Sequence, residues 1–355
     1  MLSALTADGC LMMRGLRYLA LSSALLLALT PAYAGKTSPR ASASEAAAAS
    51  RQHDQALLAF QRDLVSVLAP RADALPLLAA ALLARPLVAP PKTSSFHALI
   101  VRAAQADGAG PAVNWVRLAD CDAKADACPN GAALTQLQAQ APDNAAVWLV
   151  KLGDDTRNMK SDAVRADLAK AAAATTYDDY AGTSLKALAD SVGVLPPPAS
   201  VLQPANAAAG AAGVQLVLVY GLASAQPQPS LPLVAKLCEN AGDDASIKAD
   251  CLKLGKLLEW GSSPLARSLG LHLREVLTAD PAQQDAARHA RVNLTWQVQS
   301  FAQLLERAQD DRVMAQHLLA LARNGGTEMS VLLAALRDNG IATDAPAGWQ
   351  PHAAG

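Results

Sequence analysis

Apolar residues recur at helical spacing through most of this chain. One stripe in the N-terminal half consists of Leu57, Phe60, Leu64 and Leu68. Steps of three and four residues place such side chains on one side of an α-helix. Strand signals are nearly absent, and the apolar run 214–220 has neither alternation nor a hairpin partner. The pattern therefore predicts an all-α protein.

Helix start signals divide the pattern into successive elements. Ser263-Pro264 and Asp280-Pro281 each join an N-cap side chain to a proline at the first helical position, and Pro142 also suits a first turn. The predicted helices span about 42–69, 73–84, 95–106, 111–120, 131–140, 142–152, 161–174, 178–192, 207–224, 230–241, 245–260, 264–278, 281–308, 310–323 and 327–338.

A proline-rich segment, 194–205, has the composition of a semi-rigid linker. We therefore predict an N-terminal helical block at 35–193, a C-terminal helical block at 206–345 and a tail at 346–355. Each short amphipathic helix needs a neighbour to bury its apolar face. The expected architecture is a set of helical hairpins stacked as an irregular α-solenoid-like array.

Composition supports helices and argues against nucleic acid as a partner. The chain is 52% hydrophobic but only 4% aromatic, which indicates alanine and leucine rather than typical strand residues. Lys and Arg number 30 against 31 Asp and Glu, for a formal net charge of -1. This balance gives no basic footprint for a phosphate backbone.

Residues 13–34 have the pattern of an export signal. Arg14 and Arg17 precede an apolar core at 19–29, and Ala-Tyr-Ala at 32–34 forms a small-x-small cleavage site. The pattern predicts a periplasmic or secreted protein.

The same signal fixes the expected ends of the leader. Cleavage after the small-x-small site starts the mature protein near Gly35. A signal that opens at Met12 or Met13 already has the usual length, so residues 1–12 are expected to be an untranslated extension.

Four cysteines remain after the leader: Cys121, Cys128, Cys238 and Cys251. An even set in an exported protein favours disulfides. Of three possible pairings, the local one is favoured, because each neighbouring pair brackets a short polar segment between two helix-like runs. The alternative is a metal site on four thiolates, but the spacings differ from the paired C-x-x-C of zinc ribbons.

The segment 206–225 is the one later candidate for a membrane span. Three glycines, Gly210, Gly213 and Gly221, weaken it, and much of its first half is alanine, which inserts poorly. We interpret it as a buried helix and expect no membrane span after signal cleavage.

Common catalytic motifs do not occur in the sequence, which lacks H-E-x-x-H, G-x-S-x-G and the phosphate-binding loop G-x-x-x-x-G-K-[ST]. The histidines stand far apart, although His272, His289 and His317 lie in successive predicted helices and could converge. We expect no cofactor and no metal.

Acidic doublets occur at positions interpreted as helix boundaries, where carboxylates accept hydrogen bonds from free N–H groups. The doublets are Asp154-Asp155, Asp178-Asp179, Asp243-Asp244 and Asp310-Asp311. Asp120, Asp122 and Asp126 offer oxygens to calcium within the first cysteine loop. Their spacing is not that of a calcium loop, and Lys124 places a positive charge between Asp122 and Asp126 in the sequence.

The segment 142–149, Pro-Asp-Asn-Ala-Ala-Val-Trp-Leu, resembles the start of a tetratricopeptide unit, and an alanine-rich stretch at 163–173 follows it as the second helix. Leu152 stands where that family has a small residue, and no second copy follows at the family's period. The resemblance implies a helical hairpin of protein-binding type.

The chain as a whole resembles a group of uncharacterised exported helical proteins of Gram-negative bacteria. The cysteine-bracketed loops and the tail from Thr327 to Pro351 carry this resemblance. It implies no activity and no functional residues.

These observations lead to two main functional hypotheses, and a purely structural domain of an envelope assembly is a third possibility. The first is an exported helical-repeat-like protein that acts as a protein- or peptide-binding scaffold in the cell envelope, without catalysis. The second is an all-helical periplasmic hydrolase or lyase whose acid and base come from separate helices, such as Glu259 and Asp285.

Overall fold

A computed structural model describes residues 43–121, 128–202 and 208–351 of the chain. Within these ranges the chain forms fifteen α-helices and two short 3-10 helices, Lys92–Ser94 and Ala199–Val201, and no β-strand. The predicted all-α class is therefore confirmed.

Several predicted features lie outside the described residues. They are the signal peptide and mature N-terminus, Asp122 and Asp126 of the first cysteine loop, residues 203–205 of the predicted linker, and the end of the tail at 352–355. By its contacts the chain divides into Met1–Ala48 and Ala49–Gly355. Of the first unit only the beginning of α1 is described.

The fifteen helices follow the predicted order. They are α1 Ala43–Leu68, α2 Ala74–Ala84, α3 Phe96–Gln105, α4 Pro111–Arg117, α5 Gly131–Gln140, α6 Ala145–Arg157, α7 Ser161–Ala173, α8 Ala181–Ser191, α9 Gly210–Ala223, α10 Leu231–Glu239, α11 Ala245–Leu258, α12 Pro264–Leu277, α13 Pro281–Ala308, α14 Arg312–Asn324 and α15 Glu328–Asp338.

The cap geometry corrects one predicted helix start and one predicted capping side chain. Helix α6 begins at Ala145 instead of Pro142, because the Asn144 side chain accepts a hydrogen bond from the Ala146 N–H and so forms the N-cap. Helix α12 begins at Pro264 as predicted, but the side chain of Ser263 makes no capping bond. For α12, the proline at the first helical position is therefore the start signal that the structure confirms.

The compact unit 49–355 contains two hydrophobic cores. The first lies among α1, α2, α3, α8, α9, α13, α14 and α15, and includes Leu64, Leu78, Leu188, Val219 and Leu332. Helix α2 is apolar on every side, and nine of its eleven residues are buried. It packs against α3, α8 and α9. A helix that is apolar all round belongs in the middle of a core.

The second core lies among α4, α5, α6, α7, α10, α11 and α12. It includes Trp115, Leu149, Leu168, Leu254 and Leu273. In this part of the unit, α6 packs against α7, α11 packs against α12, and α7 packs against α11. The α6–α7 and α10–α11 pairs form the framework of the site described below.

Helices on the two sides of the predicted linker are in contact. Helix α8 packs against α9 and α14, and the Trp115 indole N–H donates to the Pro227 carbonyl at 3.2 Å. Helix α9, which contains most of the candidate span at 206–225, contributes Leu216, Leu218 and Val219 to the first core. In the described part of the chain, no helix combines the length and hydropathy needed to cross a bilayer.

Three interhelical connections meet near the start of α8. The N–H of Ser262, between α11 and α12, donates to the Tyr177 carbonyl at 3.2 Å, and the N–H of Met329 donates to the Ser262 carbonyl at 2.9 Å. Gly182 lies directly against the Gly326 carbonyl. This junction joins the α7–α8, α11–α12 and α14–α15 connections.

Candidate functional site

An open groove lies between the α6–α7 hairpin and the α10–α11 corner. It has a volume of about 540 Å³, within the range of ligand-binding clefts. Its apolar lining consists of Leu152, Met159, Val164, Leu233, Leu237, Ala241 and Ile247. Several of these residues belong to the margin of the second core, where they are only partly buried. The groove is therefore an apolar surface accessible to a ligand.

The mouth of the groove is formed by the turn between α6 and α7. The Lys160 N–H donates to the Asp155 carbonyl and the Met159 N–H donates to the Thr156 carbonyl, at 2.9 and 3.0 Å. These two bonds define a Schellman motif, in which the left-handed residue is usually glycine. Here it is Met159, with φ 56°, and its side chain is 89% exposed. A bulky residue occupies a strained position and projects into solvent.

Two sequence features bring the walls of the groove together. On α6, Gly153 lies against the Ser230 side chain, because a Cβ at Gly153 would overlap the Ser230 hydroxyl. On the opposite wall, Cys238 and Cys251 are both fully buried and join α10 to α11, with their Cα atoms 5.8 Å apart. The small residue thus allows the start of α10 to approach α6, and the covalent link fixes α10 relative to α11.

The charged lining is mainly cationic. Lys160, Arg165, Lys236 and Asp244 face the groove. Arg165 Nη1 lies 2.9 Å from Asp244 Oδ2 and links α7 to the start of α11. Asp244 also caps α11 by accepting from the Ser246 and Ile247 N–H groups, and the bond from Ile247, together with the Arg165 charge, lowers the pKa of Asp244. The one carboxylate in the lining is thus already engaged.

A buried carboxylate pair stiffens the α6–α7 hairpin beside the groove. Lys151 forms an ion pair with Asp155, and Lys160 Nζ lies 3.5 Å from the same carboxylate. Burial opposes ionisation of Asp155, but the hydrogen bond and charge of Lys151 outweigh it and lower its pKa. Burial and the charge of Asp155 raise the pKa of Asp167 to about 6. Asp155 is the ionised partner, and Asp167 holds the proton at acidic pH.

The structure corrects one prediction made for the acidic doublets and confirms others. The doublet Asp154-Asp155 was predicted at a helix boundary, but α6 continues through it to Arg157, which leaves Asp155 in the buried hairpin interface. The expected capping role is correct for Asp244 and also for Asp311, which accepts from the Val313 and Met314 N–H groups.

The structure pairs the cysteines as the local pattern favoured. Cys121 and Cys128 form one disulfide, with 5.3 Å between their Cα atoms, and Cys238 and Cys251 form the other. Both Cα separations fall in the usual disulfide range. The second bond belongs to the groove wall, whereas the first closes the loop between α4 and α5.

The titratable residues considered for catalysis have separate partners. His272 Nε2 lies 2.6 Å from Glu239, and His317 Nε2 lies 3.3 Å from Asp338. Glu259 is 2.7 Å from Arg274 on α12, whereas Asp285 is paired with Arg288 on α13. No group of three or more His, Cys, Asp or Glu able to hold a metal ion occurs among the described residues.

The groove itself was not predicted, because its lining comes from four helices and two turns. A partial signal exists on α10, where Leu233, Lys236 and Leu237 follow helical spacing. A second feature of the groove, the left-handed conformation of Met159, is visible only in the backbone of the structure and not in the sequence. Comparison with protein-family models, with curated proteins and with solved structures finds no match to this chain.

Proposed function

We propose that this chain is an exported helical scaffold of the cell envelope that holds a partner protein or peptide in the groove between α6–α7 and α10–α11, without catalysing a reaction. The observation that carries the proposal is the accessible apolar lining of a groove of about 540 Å³. Covering such an apolar surface with a ligand removes it from water, which is favourable.

The chemistry of the lining favours binding over catalysis. Its titratable groups are three cationic side chains and Asp244, whose carboxylate is occupied by Arg165 and by two N–H groups of α11. A general acid or base needs a free group within reach of a substrate. The hydrolase or lyase hypothesis would use Glu259 and Asp285, each of which is engaged by a different arginine.

The proposed compartment rests on two features. The export pattern at 13–34 directs the chain out of the cytoplasm. Two pairs of cysteines at disulfide distance suit an oxidising compartment. The periplasm or the cell exterior satisfies both.

Affinity capture with matched variants tests the proposal. The mature protein is immobilised and exposed to an envelope extract, alongside Met159→Asp at the groove mouth and Leu265→Asp on α12. Both replaced side chains are exposed, at 89% and 59%, and aspartate tolerates a left-handed turn. We expect a specific partner to be retained by the wild type and by Leu265→Asp, and lost with Met159→Asp.

Two results would overturn the proposal. One is a partner held equally well by Met159→Asp and the wild type, because the binding surface would then lie elsewhere. The other is the absence of any specific partner with folded wild-type protein in repeated captures from the native envelope.

A further inference from the structure

We infer that the groove binds an amphipathic α-helix of the partner whose apolar stripe is flanked by carboxylates. This inference rests on the proposed function and adds the conformation and the charge of the bound segment. Both follow from the lining of the groove.

The conformation follows from the backbone of the walls. The groove is lined largely by helices, whose interior N–H and C=O groups are already paired within each helix. It therefore offers no strand edge to an extended peptide. An extended segment would leave its own backbone groups against apolar side chains, which is costly. A helix satisfies its backbone internally and presents only side chains.

The spacing of the lining residues also suits a helix. On α10 the exposed face follows steps of three and four residues through Leu233, Lys236 and Leu237. On α7, Ser161, Val164 and Arg165 follow the same steps of three and four residues. Such rows form ridges that pack into the grooves of another helix. The site thus has the surface pattern of an interhelical contact that lacks one helix.

The charge of the ligand follows from the cationic rim. Lys160 and Lys236 lie on the two walls. Lys160 shares the Asp155 carboxylate with Lys151, and Lys236 is exposed on α10. Asp244 is the one carboxylate among the described residues that line the groove, and it forms an ion pair with Arg165. Carboxylates beside the apolar stripe of a ligand helix would complement the rim, whereas lysines would be repelled.

Met159 has a conformational cost at the groove mouth. A non-glycine residue in the left-handed region costs about 1–2 kcal/mol per residue, and an exposed side chain gains nothing from burial in return. Methionine is flexible and polarizable, so it adapts to apolar partners. Met159 is the residue that we assign to contact the ligand helix at the groove mouth.

Selection from a peptide library tests this assignment without knowledge of the natural partner. The probe is a random library of peptides about 16 residues long, enough for four helical turns, displayed on phage and selected on the immobilised mature protein. We expect enriched peptides to carry aliphatic residues at helical spacing with neighbouring Asp or Glu, and to become helical when bound, as circular dichroism would show.

Matched variants locate the binding of the enriched peptides. Lys236→Glu should weaken it about three- to tenfold, with the loss reduced at high salt. Lys253→Glu reverses an exposed lysine of α11 outside the groove lining and should leave binding unchanged. Met159→Gly should weaken binding although it relieves backbone strain. Ala89→Gly relieves a similar left-handed residue, with φ 47°, and should not affect binding.

Several outcomes would overturn the inference. They are the enrichment of basic or extended peptides, equal binding by Lys236→Glu and Lys253→Glu, and failure of any peptide to enrich. If capture through Met159 succeeds while the selection gives one of these results, the scaffold function stands and the helical, acidic ligand is wrong. If capture itself is insensitive to Met159→Asp, the proposed function fails first.

Discussion

Ser262 and Asp179 are 83 positions apart in sequence and are joined by two hydrogen bonds. The Ser262 hydroxyl donates to Asp179 Oδ1 at 3.0 Å, and the Asp179 backbone N–H donates to the same hydroxyl at 3.1 Å. Both side chains are buried, at 2% and 1% exposure. A buried carboxylate needs such donors in place of water. This pair therefore holds the α7–α8 and α11–α12 connections together.

Ser262→Ala should destabilise the protein by about 1–3 kcal/mol. It leaves a buried carboxylate oxygen with only the longer bond from the Ala181 N–H, at 3.4 Å, and it removes the acceptor of the Asp179 N–H. The measurement is the free energy of unfolding in urea. Ser66→Ala is the control, since the Ser66 hydroxyl is exposed on α1 and donates only to the Asp63 carbonyl. Equal urea midpoints for the two variants would contradict the role assigned to the pair.

The same junction should respond to pH through Glu328. Burial, followed by the negative charge of Asp179, raises the pKa of Glu328 to about 7 from its ordinary value of 4.5. A raised pKa means that the folded state binds the proton more tightly than the unfolded state. The resulting contribution to stability is full below about pH 4.5 and is lost as pH rises through about 7.

Glu328→Gln removes this titration and keeps the shape of the side chain. Relative to the wild type, the variant should gain stability progressively as pH rises through about 7, because only the wild type then carries a partly buried charge next to Asp179. Thermal unfolding at a series of pH values measures the difference. Glu306→Gln, at an exposed site on α13, serves as control. A wild-type advantage that grows with pH would show that the sign is wrong.

Gly182 permits a close approach that no other residue allows. A Cβ there would overlap the carbonyl oxygen of Gly326, a backbone atom that cannot rotate away. Gly182→Ala should cost about 1–3 kcal/mol of unfolding free energy, in the manner of an overpacked core. Gly221→Ala on α9 is the matched control, because a Cβ there meets nothing within 4 Å. That variant should be neutral or gain up to about 1 kcal/mol from helix propensity. Similar midpoints for the two alanine variants would refute the close approach.

The disulfide in the groove wall should contribute more to stability than the disulfide of the α4–α5 loop. Cys238 and Cys251 close 13 residues and are both fully buried, whereas Cys121 and Cys128 close 7. Loop closure predicts about 3 and about 2.5 kcal/mol, respectively. Urea unfolding of the Cys238→Ala/Cys251→Ala and Cys121→Ala/Cys128→Ala double variants compares the two. Four free thiols in unfolded, unreduced protein would contradict both bonds.

The helices could be predicted because their signals are local. Asp280-Pro281 starts α13 through a side-chain cap and a proline, and both signals are visible in these two residues of the sequence. The predicted start of α6 was wrong because Pro142 suits the first turn of a helix, whereas the N-cap is Asn144, two residues later. Only the geometry shows that the Asn144 side chain accepts the capping bond. Local chemistry thus determines most elements, and errors arise where two start signals adjoin.

The site could not be predicted in the same way, because it depends on contacts between distant segments. Asp155 and Asp167 have opposite pKa shifts only because α6 and α7 bury them beside one another and beside Lys151. The groove needs the approach of α10 to α6 at Gly153 and Ser230, 77 positions apart by their numbers. No periodicity in either segment encodes that approach.

Photo-crosslinking in the native cell envelope tests the central claim most directly. A photoreactive amino acid replaces Met159, whose side chain is 89% exposed at the groove mouth, and in a second strain it replaces Trp260, which is 80% exposed elsewhere. Irradiation of the strain substituted at position 159 should yield one discrete adduct with a partner protein, and irradiation of the other strain should yield none. A partner adduct from position 260 alone, or adducts of equal yield from both positions, would contradict the groove as the binding surface.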